Sequence, residues 1–78
     1  MRIKREVDLS ISLKIKKIGE NITFLRKSKN MSCEKLAYSI GISKSFLGYV
    51  EKGLTNPTVE TLYLIADGLD CEIVELFK

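Results

Sequence analysis

Two short apolar-faced segments, residues 32–40 and 43–53, are separated by only Gly41 and Ile42. A link that short cannot reverse the chain into an antiparallel helix pair. A glycine free to adopt positive φ, followed by an apolar plug, suits two helices that cross steeply. The local signals fit that geometry. Ser32 is a good N-cap with Glu34 in the first turn, and Leu36, Ala37 and Ile40 then share one face of a short helix. Ser43 caps the next, with Leu47 and Val50 turned inward and Gly53 as its closing glycine.

The flanking segments extend the same pattern. Ile15, Ile18, Ile22 and Leu25 are spaced as one helical face, predicting a first helix over 13–28 with Arg26, Lys27 and Lys29 at its C-terminal end. Asn56 as N-cap and Pro57 as first helical residue predict a fourth helix carrying Val59, Leu62, Ile65, Ala66 and Leu69 inward. The segment CEIVELF adds a last short amphipathic piece. At the other end, Val7, Leu9, Ile11, Leu13 and Ile15 alternate with Asp8, Ser10, Ser12 and Lys14, which reads as a half-buried strand. The expected architecture is all-α, five short helices over 15–78, preceded by an extended arm over 1–14 that forms a β-strand if it finds a partner.

A chain of 78 residues allows one domain, with a core small enough that a partner would help it. Its two cysteines, Cys33 and Cys71, have neither CxxC spacing nor a histidine to join them, so no metal or other cofactor is expected. No apolar run nears the ~20 residues needed to span a bilayer, and there is no signal-peptide pattern, so a cytoplasmic chain is expected. An enzyme is not expected either: the sequence offers no histidine, no glycine-rich phosphate loop and no nucleophile with a recognisable base. Charge is divided along the chain, +7 over residues 1–53 and −4 over residues 54–78. The basic part suits a polyanion, nucleic acid above all.

Residues 31–77, with Leu36, Ala37, Ile40, Gly41, Ile42, Leu47, Val50, Glu51, Gly53, Asn56, Pro57 and Leu62 in register, resemble the Cro and phage-repressor-type helix-turn-helix family; IGENITFLRKSKN resembles its first helix. The resemblance implies a lambda-repressor-like fold and a bacterial or phage regulator, a repressor in the first instance, binding double-stranded DNA. The helix over 43–52 would enter the major groove. Its outward residues are Lys44, Ser45, Gly48, Tyr49 and Lys52. By similarity Lys44, Ser45 and Tyr49 touch base edges, while Gly48, at a cost of about 1 kcal/mol to the helix, lets the backbone come close. Ser32, Lys52, Thr55 and Asn56 fall where the family contacts phosphates, and Lys14, Lys16 and Lys17 add longer-range attraction. Arg26 and Glu51 fall where an ion pair joins the first and third helices. Cys33 departs from the pattern, which often has a phosphate-contacting glutamine there.

Proteins of this type usually bind palindromic operators as two-fold dimers. Tyr63 and Leu64 on the fourth helix, and Leu9 and Ile11 through strand pairing of the arm, are the candidate dimer contacts. An antitoxin, a restriction-modification controller and a protein-interaction module would all resemble this sequence, so a protein partner stays open.

Overall fold

A computed structural model describes residues 9–78. It consists of α1 (Leu9–Ser28), α2 (Cys33–Ile40), α3 (Lys44–Glu51), α4 (Val59–Gly68) and a terminal 3₁₀ helix (Ile73–Phe77). The three central caps explain where the chain starts each helix. Ser32 Oγ accepts from the Lys35 amide at 3.0 Å, Ser43 Oγ from Phe46 at 3.0 Å, and Thr58 Oγ1 from Thr61 at 3.1 Å. Each satisfies one of the amides that a helix start leaves without a backbone partner. Gly41 sits at φ 78°, and the Ile42 amide donates back to the Ala37 carbonyl at 3.0 Å, so the two-residue junction is a left-handed turn.

Two expectations are corrected. The alternating stretch is not a strand: residues 9–15 belong to α1, which starts at least as early as Leu9 rather than at residue 13. Val7 and Asp8, and most of the expected arm, lie outside the described residues. The physical reason is that Ile11, Ile15, Ile18 and Ile22 satisfy helical spacing as well as the first two satisfy alternation. A helix also closes its own hydrogen bonds, whereas a lone strand has no ladder. The boundary drawn at residue 14 therefore falls inside a continuous helix. The fourth helix starts later than expected, capped by Thr58 instead of Asn56, so Pro57 stands outside it and Val59, at its first turn, is exposed.

The core is built where the helices converge. Ile22 of α1, Leu36 of α2, Leu47 of α3, Ile65 and Leu69 around α4 and Leu76 of the 3₁₀ helix are fully buried. Each such side chain contributes roughly 1.5–3 kcal/mol by leaving water. The 3₁₀ helix is tied down by Asn21 Nδ2, which donates to the Leu76 carbonyl at 3.0 Å. α1 passes very close to the end of α3: a Cβ on Gly19 would stand 2.4 Å from the Glu51 carbonyl oxygen. No larger residue fits there without moving one helix off the other.

Candidate nucleic-acid interface

α3 divides cleanly into two faces. Leu47 and Val50 are buried, while Lys44, Ser45 and Tyr49 are exposed, Tyr49 by 54 %. Gly48 lies on the same outward side, and a Cβ there would meet no heavy atom within 4 Å. It alone of the five glycines combines that open space with an ordinary helical φ. Gly41 and Gly53 have positive φ, and Gly19 and Gly68 lie where a methyl would collide with α3 or with Ile40 and Leu36. The folded chain supplies no reason for a glycine at 48.

Of the expected phosphate-side residues, Ser32 stands at the start of α2 and Lys52, Thr55 and Asn56 follow α3. Ser32 caps α2 with its oxygen accepting from Lys35, which leaves the hydroxyl hydrogen as a donor. Lys52 follows α3, Gly53 takes φ 74°, and the Leu54 amide closes the turn onto the Tyr49 carbonyl at 2.9 Å. Beyond the turn Thr55 is half-buried and Asn56 exposed. Cys33 is half-buried with Sγ 4.0 Å from the Lys44 carbonyl oxygen, and burial, then the Glu51 charge, pushes its thiol above the ordinary value. A thiol held protonated in this way is a packing group and a poor nucleophile.

Arg26 and Glu51 meet as expected. Arg26 Nε and Nη2 donate to the two carboxylate oxygens of Glu51 at 2.7 and 2.9 Å, with side chains 11 % and 8 % exposed. Nη1 donates to the Met31 carbonyl at 2.8 Å, and Thr23 Oγ1 to Glu51 Oε1 at 3.0 Å. The hydrogen bond to Glu51 raises the Arg26 pKa, so the charge is secure. Sequence reasoning missed Thr23; its position three residues before Arg26, on the same helix face, is the signal that could have found it.

The expected dimer contacts do not form one surface of one element. Tyr63 and Leu64 are exposed on α4; Leu9 and Ile11 are exposed in the first turns of α1 and are helical, so they offer no strand edge. Val74 and Phe77 of the 3₁₀ helix are exposed as well and were not anticipated; that helix packs on α4.

A capped helix, a left-handed two-residue turn and a second helix with one bare polar face define a helix-turn-helix domain. The helix-turn-helix family model matches residues 22–76, and the chain belongs to this Cro and phage-repressor-type family. It is 43 % identical over 61 residues to the HTH-type transcriptional regulator SlrR of Bacillus subtilis, which covers 77 % of this chain and 40 % of SlrR. The chain thus spans about two-fifths of that relative's length. Among solved structures, the restriction-modification controller protein C.AhdI from Aeromonas hydrophila superposes with a TM-score of 0.81 at 35 % identity, over 83 % of this chain and 98 % of that one. The controller protein C.Esp1396I, a tetramer in complex with its natural 35 base-pair operator, superposes with a TM-score of 0.74 at 30 % identity, over 81 % and 83 %. Among the described residues no helix is long and apolar enough to cross a membrane.

Proposed function

We propose that this protein is a sequence-specific, double-stranded DNA-binding transcriptional regulator that represses by occupying a palindromic operator as a dimer. The observation that carries this reading is the division of α3. Leu47 and Val50, with Phe46 half-buried beside them and Glu51 paired to Arg26, hold it in the fold, and the opposite face carries Lys44, Ser45, Gly48 and Tyr49 outward. A helix about 10–12 Å across matches a major groove about 12 Å wide. Lys44 donates to guanine O6 and N7, Ser45 donates or accepts, and Tyr49 meets a thymine methyl or a phosphate. Ser32, Lys52, Thr55 and Asn56 fix the register on the backbone. The operator complex of C.Esp1396I supports both DNA binding and assembly of copies. Tyr63, Leu64, Val74 and Phe77 are the apolar groups we assign to the dimer contact.

The reading concerns binding, not catalysis. The controller class is its most specific form, favoured by the near-complete coverage of C.AhdI. Selection of bound sequences from a random duplex pool tests it. A palindromic consensus, bound in excess nonspecific competitor and weakening steeply with salt, is the expected result. Enrichment of no sequence, with no salt dependence, would replace it with a protein-interaction module.

A further inference from the structure

The first turns of α1 and the loop after α3 meet in a shallow recess lined by Ser12, Ile15 and residues 53–56. Two glycine properties make that meeting possible. Gly53 needs its positive φ to turn the chain out of α3, and its missing Cβ would stand 2.8 Å from the Lys16 Cα and 3.1 Å from the Lys16 Cβ. Lys16 therefore packs its backbone and the start of its stem against Gly53, beside the recess. Ser12, Thr55 and Asn56 line the recess together with the apolar Ile15 and Leu54, and no carboxylate residue is among its lining. Residues 9–19 add Lys14, Lys16 and Lys17, all exposed, and no acid. Donors and positive charge without a competing anion suit one ligand chemistry, a phosphodiester.

We infer that this recess seats a backbone phosphate of the bound duplex, with Ser12 and Thr55 donating and Lys16 closing over it, so that α1 is a further DNA-positioning element. The inference rests on the DNA-binding reading above. It goes beyond it because Ser12 and Lys16 precede the residues matched to the family, which begin at Ile22. The contact carries no sequence information, so its loss weakens all duplexes alike.

The test is a set of binding titrations of the full chain on a selected site and on an unrelated duplex, across a salt series. The variants are Ser12→Ala, Lys16→Gln and, as a control at the far end of α1, Lys27→Gln. Both Ser12 and Lys16 are exposed, and a thermal melt of each variant checks that it folds. Lys16→Gln is expected to weaken both duplexes equally and to flatten the salt slope by about 0.9, the effect of one lost phosphate. Ser12→Ala is expected to weaken both by roughly ten-fold or more, about the value of one hydrogen bond to a charged group, with the slope unchanged. A Lys16→Gln slope equal to that of Lys27→Gln, or a Ser12→Ala affinity equal to wild type, overturns the seat. Failure of the wild-type chain to bind any duplex instead overturns the function on which the inference rests.

Discussion

Replacing Glu51 by alanine removes the partner that makes Arg26 tolerable inside the domain. The guanidinium would lose its bonds at 2.7 and 2.9 Å, and Thr23 the one at 3.0 Å; only the Met31 carbonyl would remain. Arg26 is 9 % exposed and its charge cannot leave, since no accessible pH deprotonates arginine. An uncompensated buried charge of this kind costs roughly 3–5 kcal/mol. The whole domain, at roughly 0.05–0.15 kcal/mol per residue, is worth only about 4–12 kcal/mol. At roughly 4–8 °C per kcal/mol for a chain of this size, the melting temperature followed by circular dichroism is expected to fall by at least about 12 °C. DNA affinity should fall only as the folded fraction falls. The double variant Arg26→Met with Glu51→Met, which removes both charges and keeps the volume, is expected to regain most of the loss. An alanine variant within about 1 kcal/mol of wild type, or a double variant as unstable as the single, would refute the argument that the pair matters through burial.

Gly48→Ala should raise stability by about 1 kcal/mol, seen as a higher melting temperature, because the methyl enters open space. Its affinity for the operator is expected to fall; equal affinity would mean that the gap in α3 is not used. Gly19→Ala should destabilise by more than 1 kcal/mol in urea titrations, since its methyl would collide with the Val50 and Glu51 carbonyls, and a neutral effect would show that α1 can shift without loss. Burial raises both thiols, Cys33 and Cys71, above 9.0, so each favours the folded state below about pH 9 and loses that contribution as pH rises through its folded value. Wild-type stability minus that of Cys33→Ala with Cys71→Ala should be flat from about pH 7 to 8 and fall above about pH 9; a difference that stays flat or rises above about pH 9 would contradict the raised values.

Much of this was legible because it is local. Ser32 and Ser43 cap helices within three residues of themselves, and Gly41 and Ile42 announce a steep crossing without any distant partner. The alternation of Leu9, Ile11, Leu13 and Ile15 misled for the same reason: over so few residues a period of two and a period near four share Ile11 and Ile15. Asn56 and Thr58 are both competent caps two residues apart, and only the Thr58 bond to Thr61 decides between them. The Arg26–Glu51 pair spans 25 residues and was visible only through a family pattern. The approach of Lys16 to Gly53, and of Gly19 to the end of α3, left no trace in periodicity, because neither depends on what lies near it in sequence.

The two-faced character of α3 bears on how such a protein can change over time. Leu47, Val50 and Glu51, with Phe46 half-buried, hold the helix in place, while Lys44, Ser45 and Tyr49 are exposed and Gly48 faces open space. On the DNA-binding reading proposed above, exchanges at those four outward positions would retarget the chain to a different operator while its folding stays nearly constant. New specificities are then reachable through single neutral-to-fold steps, and a set of regulators with separate targets can descend from one scaffold without ever passing through an unfolded ancestor.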